Sequence, residues 1–491
     1  MKKIYNLIWK HIKKYKYIYT TCFFVFLAFL QFGLLSFHHN IWYDEAYQMV
    51  LNRYSFSKII YFVSNDFSGP LYALGLKVFT LIFGNELWVG RIFSLAIFSI
   101  AFLLAFYPIR RLFSYKTAII FSILLLVIPI NFFTAIEIRT YSLAFTATLG
   151  ASVYAISFFL NSEKKDMILY IIFSVMALYS HNYGIFFIFI LGNSLLLMTA
   201  IKKRTILKKV LLANFIIFVC FMPWIMTLAK QANNLDQKFW IAKPNWTMFP
   251  YTLSYLFGNY KNIYQLFFIM VLIGYIMTYI LNKKQFYIAL YYGLVLLLTI
   301  VFVICYSLYK SPIFYPKYLA TFFGVFLLMC SIVFGNYKQN YLLVILFVIL
   351  LIPMYFAFQY EHKIVEEKNM KKLVTYVSSI IQDHKNKNIA FYHTGEFSLG
   401  VMEYYFPNSN HLIASGTDIY VTVPKIFGNV NFLQFDKTIP ENIDTIIVCF
   451  PNMKDQYYLR KNHFHSTKVK SFYIPYSNNY YVMTVFEKNI S

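Results

Sequence analysis

The sequence predicts an α-helical polytopic membrane protein of about eleven transmembrane helices. Interfacial helices are expected in its first outer loop, and an extracytoplasmic α/β domain at its C-terminus. Three observations carry this. Of 491 residues, 59% are hydrophobic and 13% charged, where a soluble domain carries about 25% charged residues. Apolar runs of about 17–25 residues, the length that crosses a bilayer core, recur along the first three quarters of the chain. Basic residues gather between alternate runs, as they do on cytoplasmic segments.

The spans fall at 18–37, 87–107, 117–135, 141–160, 167–182, 184–201, 208–229, 263–281, 286–306, 318–335 and 341–358. With the N-terminus inside, the cytoplasmic segments hold Lys2, Lys3, Lys10, Lys13, Lys14 and Lys16, then Arg110, Arg111 and Lys116. Lys164 and Lys165, the basic stretch 202–209, Lys283, Lys284 and Lys338 follow on the same side. This bias accounts for much of the net charge of +24, which is therefore no nucleic-acid footprint. The first span has a basic flank like a signal peptide, but its apolar core is too long and no A-x-A site follows, so it reads as an uncleaved anchor. Cys22, Cys220, Cys305 and Cys330 lie in apolar runs and Cys449 stands apart, which suggests neither a disulfide framework nor a metal cluster.

Two long outer loops remain, 38–86 and 230–262. The first contains "SGPLYALGLKVFTLIFG", too short to span and suited to a helix lying in the interface. The second is rich in aromatics and Asn. Hydropathy falls after the last span, so the chain divides into a membrane domain, 1–358, and a soluble α/β domain, 359–491. The spacing of Ile364, Val365, Leu373, Val374, Val377 and Ile381 predicts a helix over 363–384. Strands are expected at "NIAFYH", "DTIIVCF" and "NYYVMTVFE". His393, His411, His463 and His465 are scattered and read as surface residues.

Polar groups cluster at outer span ends. "WYDEAY" puts Asp44 and Glu45 just beyond the first span, and "NDFSGPL" adds Asp66. "EIRTYS" supplies Glu137, Arg139 and Tyr141; "SHNYG" supplies His181 and Tyr183; "PKYLA" supplies Lys317 and Tyr318. Ionisable groups at membrane depth are costly and point to function. Carboxylates could serve as a general base, and Arg and Lys could hold a phosphate. Each has a plainer reading. Asp44 could cap a short helix, Arg139 and Lys317 could snorkel to headgroups, Glu137 could pair with Arg139, and His181 could be structural.

In order and spacing over 1–358, these elements resemble the GT-C glycosyltransferase superfamily. The nearest branch is that of the protein O-mannosyltransferases and lipid A aminoarabinose transferases. The acidic pair Asp44–Glu45 follows the first span as it does there. "DFSGPLY", Asp66 to Tyr72, stands where that branch has D-x-H-P-P-L-Y, with Ser68 and Gly69 in place of His-Pro. "LWVGRIFSLAIF" over 87–98, including Arg91, is similar to the branch's second span. "RTYS", Arg139 to Ser142, matches R-x-Y-S, while "SHNYG" and "KYL" are similar to later outer-face elements, the second usually with Arg where this chain has Lys317.

That resemblance implies an enzyme of the plasma (inner) membrane, probing the outer side with its catalytic groups. It would move a sugar from a polyprenyl-phosphate-linked donor to a cell-envelope acceptor: a protein, lipid, teichoic acid or polysaccharide. The branch implies Asp44 as the base on the acceptor, Glu45 as its support, and Arg139 and Lys317 at the leaving phosphate. Asp66, Tyr141, His181, Tyr183 and Tyr318 are the candidate substrate-binding residues. No cofactor is certain; a divalent metal ion is the one the resemblance admits, since some relatives bind one near the first loop. Asp66, Glu45 and His181 could ligate one, but their spacing forms no metal signature. The partners are the donor, the acceptor and the lipid bilayer, with no nucleic acid. A polytopic transporter or flippase of polyprenyl-linked glycans and a non-catalytic envelope assembly protein are the competing classes.

Overall fold

The computed structural model describes residues 2–34, 41–66, 68–234, 241–258, 261–336, 369–393, 396–414, 430–433, 439–449, 453–474 and 479–488. It divides into two compact units. The first comprises Met1–Leu34, Val63–Leu76 and Arg91–Tyr360; the second comprises Leu35–Phe62, Lys77–Gly90 and Glu361–Ser491. The expected divide at 358/359 and the expected span 341–358 lie outside the described residues.

Among the described residues, eight helices are long and apolar enough to cross a membrane, and a ninth span forms if one bent pair is counted. The chain is thus a multi-pass membrane protein by length and composition of its helices. The bent pair replaces the straight span expected at 117–135. Tyr115–Val127 and Ile130–Ile136 meet at 83°. The cause is Pro129, whose ring excludes the helical conformation from the residue before it; Ile128 is accordingly extended (φ −74°, ψ 125°). The span expected at 167–182 is a shorter helix, Lys164–Leu178, of 15 residues. At 1.5 Å per residue this reaches about 22 Å, less than a bilayer core of about 30 Å.

Two helices of the first unit are central. Tyr141–Asn161 has 89% and Pro316–Gly335 has 83% of its apolar window buried within the protein, against 28% for Arg204–Asn233. Small residues let the central pair approach. A Cβ on Gly324 would lie 2.8 Å from the Phe145 ring. Thr148 donates to the Thr321 carbonyl at 2.6 Å, and Tyr292 to the Ser152 carbonyl at 3.1 Å. Each central helix carries candidate site residues at its first turn: Tyr141 on one, Lys317 and Tyr318 on the other.

The second unit is built on one six-stranded sheet. Its strands are β1 (Ile389–His393), β2 (Asn410–Ala414), β3 (Val430–Leu433), β4 (Thr445–Cys449), β5 (Phe464–Ile474) and β6 (Asn479–Lys488), in the order β3-β2-β1-β4-β6-β5. The first four run parallel to one another; β6 pairs antiparallel with both β4 and β5. Alternate residues of each strand serve opposite faces. Phe391, Ile447, Met483 and Val485 pack with Leu373, Val377 and Ile380 of the helix Asn369–Asp383, and with Ile41 and Ala46 from the first loop. On the other face Ala390, Tyr392, Ile446, Val448 and Phe486 pack with Leu459 and Phe464. The three strands and the helix expected here are present; β2, β3 and β5 are additional. His393 and His411 correct the surface expectation, since both are fully buried. The strands place them on the face that carries Phe391, because His411 sits opposite Phe391 in the β1–β2 register.

Candidate active site

The site in the first unit begins where the bent pair ends. Ile130–Ile136 stops at Glu137, which is extended (φ −61°, ψ 132°), and the short link 137–140 leads into the Tyr141–Asn161 span. This link carries Glu137 and Arg139. It is held on both sides: Ser94 of the second span donates to the Glu137 carbonyl at 2.8 Å, and Thr140 donates to the Ser180 carbonyl at 2.8 Å. Ser94 in turn shares a 2.6 Å hydrogen bond with Tyr72, the last residue of "DFSGPLY".

Glu137 pairs with Lys317. The Lys317 Nζ lies 2.6 Å from the Glu137 carboxylate, and both side chains are buried. The Arg139 backbone N–H reaches the Glu137 carbonyl at 2.7 Å. A pair so enclosed stands only when both charges are matched. Pro316 opens the short 3-10 turn Pro316–Leu319 that sets Lys317. The Lys317 ammonium also lies over the Tyr141 ring, 5.1 Å from its centre.

Around this pair the rings converge. Tyr141 and Tyr318 stack at 6.4 Å between centroids, His181 lies 5.0 Å from Tyr318 and 5.6 Å from Tyr141, and Tyr183 lies 5.5 Å from Tyr318. His181 is the N-cap of the Asn182–Lys202 helix, its Nδ1 accepting from the Tyr183 N–H at 3.1 Å. That bond assigns the proton to Nε2 in the neutral ring. Burial pushes the imidazole down to about 3, helped by the charges of Arg139 and Lys317. The ring is therefore neutral at physiological pH and lies within reach of both cations. Tyr183 donates to the Ile313 carbonyl at 2.7 Å, which fixes the backbone entering the Lys317 turn.

Asp66 is brought alongside by backbone pairing. Ser68 and His181 form an antiparallel bridge, and the Gly69 N–H bonds the Ser180 carbonyl at 3.0 Å. The approach is so close that a Cβ on Gly69 would lie 2.1 Å from the Tyr179 carbonyl oxygen. A side chain cannot be accommodated there, which explains Gly where the related motif has proline. Ser68 donates to the Asp66 carboxylate at 3.4 Å.

The structure thus gathers Asp66, Arg139, Tyr141, His181, Tyr183, Lys317 and Tyr318 in one unit. Asp44 and Glu45 belong to the other. They occupy the first turn of the helix Tyr43–Leu51, Glu45 buried and Asp44 half-buried. Trp42, not Asp44, is the N-cap residue. Two carboxylates in a first turn lie at the positive end of the helix dipole. Among the described residues, no three His, Cys, Asp or Glu side chains gather as a metal site.

One participant escapes sequence reading. Tyr255, on the helix Met248–Phe257 of the second long loop, has its phenol raised by burial and feels the charges of Lys317 and Glu137. The aromatic richness of that loop was the available signal, but it is shared by the whole chain.

Residues 68–226, under half of the chain, match the model of the dolichyl-phosphate-mannose-protein mannosyltransferase family. The fold is that of ArnT from Cupriavidus metallidurans. The apo crystal structure of that protein superposes with a TM-score of 0.60 at 12% identity, covering 94% of this chain and 97% of the other. Its structure bound to undecaprenyl phosphate gives 0.56 at the same identity and coverage. No curated protein sequence matches the chain. The resemblance drawn from the motifs is met independently by both the family model and the fold.

Proposed function

We propose that the chain is a membrane glycosyltransferase that takes a sugar from a polyprenyl-phosphate-linked donor and passes it to a cell-envelope acceptor. One observation carries the reading. The half-buried Arg139 and the buried Lys317 lie with an aromatic cradle at the ends of two central spans, in a fold shared with a protein captured with undecaprenyl phosphate. The family match over 68–226 supports the same class.

The chemistry assigns roles. Asp44 takes the proton of the acceptor hydroxyl while its oxygen attacks the anomeric carbon, and Glu45 supports that carboxylate. The bond from the anomeric carbon to the phosphate oxygen breaks, so the configuration inverts and polyprenyl phosphate leaves with its extra negative charge. Arg139 meets that charge, since a guanidinium presents a fork that fits phosphate. Lys317 contributes less than a free cation would, because Glu137 already matches it. Tyr141, Tyr318 and Tyr183 offer ring faces suited to a sugar.

Arg139→Ala should raise the donor KM about tenfold or more and leave the acceptor KM unchanged, measured in proteoliposomes. An unchanged donor KM contradicts the phosphate role. The reading also places the C-terminal domain outside the cell. A cysteine introduced at Val469, exposed on β5, should react with an impermeant maleimide on intact cells; reaction only after permeabilisation contradicts that orientation.

The 83° break before Glu137 favours a second reading, that of a transporter or flippase of polyprenyl-linked glycans, because broken helices form the binding sites of many transporters. Flipping of a fluorescent polyprenyl-linked glycan without bond cleavage would support it over the first.

A further inference from the structure

The second unit contains a buried polar chain that sequence reading left on the surface. Ser398 hydrogen-bonds His393 Nδ1 at 3.1 Å, His393 Nε2 lies 2.9 Å from His411 Nδ1, and His411 Nε2 faces the Phe406 carbonyl and the Glu403 carboxylate, both at 3.2 Å. The partners fix the tautomers. A carbonyl can only accept, so His411 carries its proton on Nε2. Its Nδ1 then accepts from His393 Nε2–H, and His393 Nδ1 accepts from the Ser398 hydroxyl. All four residues are at least nine-tenths buried.

This chain ties one helix to the sheet at both ends. Ser398 and Glu403 belong to Glu396–Tyr405, while the two histidines belong to β1 and β2. The same helix is packed by the acid-bearing helix of the first loop. Ala46 of Tyr43–Leu51 is fully buried in the core that includes Val401 and Met402. Just past that helix, Arg53 donates to the carbonyls of Glu403 at 3.3 Å and Tyr404 at 2.8 Å, with its guanidinium 5.7 Å from the Tyr404 ring. A cation there satisfies the free carbonyls at a helix C-terminus and its negative dipole end. At the same C-terminal end of the loop helix, Lys77 donates to the carbonyl of the C-cap residue Asn52 at 2.9 Å, and Asn52 to Thr80 at 2.6 Å.

We infer that the C-terminal domain is a positioning element for Asp44 and Glu45: its Glu396–Tyr405 helix, pinned to the sheet by the Ser398–His393–His411 chain that ends on the Phe406 carbonyl and clasped by Arg53, fixes the helix that bears the two acids. Arg53 is a positioning residue, since it touches the supporting helix and not the acids. The inference rests on the reading of Asp44 as the base.

The test uses full-length protein in nanodiscs and two readouts. Arg53→Ala should speed amide hydrogen exchange over residues 46–52 about fivefold, the effect of losing hydrogen bonds from a charged donor. Exchange in β1 and β4 should stay unchanged, which shows that the domain is folded. In the transfer assay kcat should fall about tenfold with the donor KM constant, as misplacement of a catalytic group demands. Arg53→Lys should recover most of the exchange protection. Unchanged exchange over 46–52 overturns the inference, as does faster exchange with wild-type kcat. A wild-type protein that transfers no sugar, while Arg53→Ala still speeds exchange, supports the clasp and overturns the transferase reading.

Discussion

Glu137 and Lys317 meet in the first unit as opposite charges 2.6 Å apart, whereas Ser398, His393, His411 and the Phe406 carbonyl form a chain of hydrogen bonds in the second that holds two neutral imidazoles beside the Glu403 carboxylate. Both clusters are buried, and burial penalises charge in each. The first answers with a matching countercharge. The second answers by keeping its histidines unprotonated, His393 well below its usual range through burial and the neighbouring ring, and His411 at about 4 through burial. Burial also lifts Glu403 to about 7, against the pull of Arg53. A charge pair is intolerant of losing a member but indifferent to pH near neutrality. A neutral chain tolerates apolar replacement better and responds to acid.

The contrast is broken most severely at Lys317. Lys317→Met leaves Glu137 as an unmatched buried charge and should cost about 3–5 kcal/mol, read as a large drop in the thermal midpoint of detergent-solubilised protein. Adding Glu137→Met should restore most of that stability. If the single variant melts like wild type, the pair is not the anchor of this site.

His411→Phe keeps the ring volume but strands the His393 Nε2–H and the Phe406 carbonyl, at about 1–3 kcal/mol. A loss as large as that of Lys317→Met would erase the distinction between the clusters.

Acid sharpens it. The folded value of His411, about 4, lies below its ordinary 6.5. The unfolded chain therefore binds the proton first, and this contribution falls away as pH drops from about 6.5 through 4. Glu403 has the opposite sign: with a folded value of about 7 against an ordinary 4.5, its contribution is complete below 4.5 and is lost as pH rises towards 7. Thermal melts of wild type and His411→Phe across pH 4–7 should show a shallower acid decline in the variant. Equal slopes would mean that His411 is not the group taking up the proton.

The smallest effect is expected at Tyr183. Tyr183→Phe loses the bond to the Ile313 carbonyl, about 0.5–1.5 kcal/mol, and should loosen the turn before Lys317 without disturbing the second unit.

Much of this fold is legible because a membrane span needs a long apolar run and little else. The misreadings have local causes. Pro129 breaks 117–135 in a way that hydropathy averages away. Lys164–Leu178 is apolar but too short. In the second unit, β5 escapes notice because its run from His465 to Ser471 is polar and exposed, as suits an edge strand, while β2 offers five residues without alternation. In the site, Arg139, Tyr141, His181, Tyr183, Lys317 and Tyr318 were visible as polar or aromatic residues at span ends. The pairing of Glu137 with Lys317 was not, because it joins residues 180 apart in the chain. The histidine chain was missed for the same reason: only the β1–β2 register sets His411 beside His393.

The account stands or falls on sugar transfer that depends on Asp44. The direct measurement supplies wild type and Asp44→Asn in proteoliposomes with a labelled polyprenyl-phosphate sugar and an envelope acceptor fraction, and follows release of polyprenyl phosphate. Wild type should release it and label the acceptor, with Asp44→Asn about 10²–10⁴-fold slower, the range expected for a lost general base. Wild-type turnover by Asp44→Asn, or no release by the wild-type protein, would contradict it.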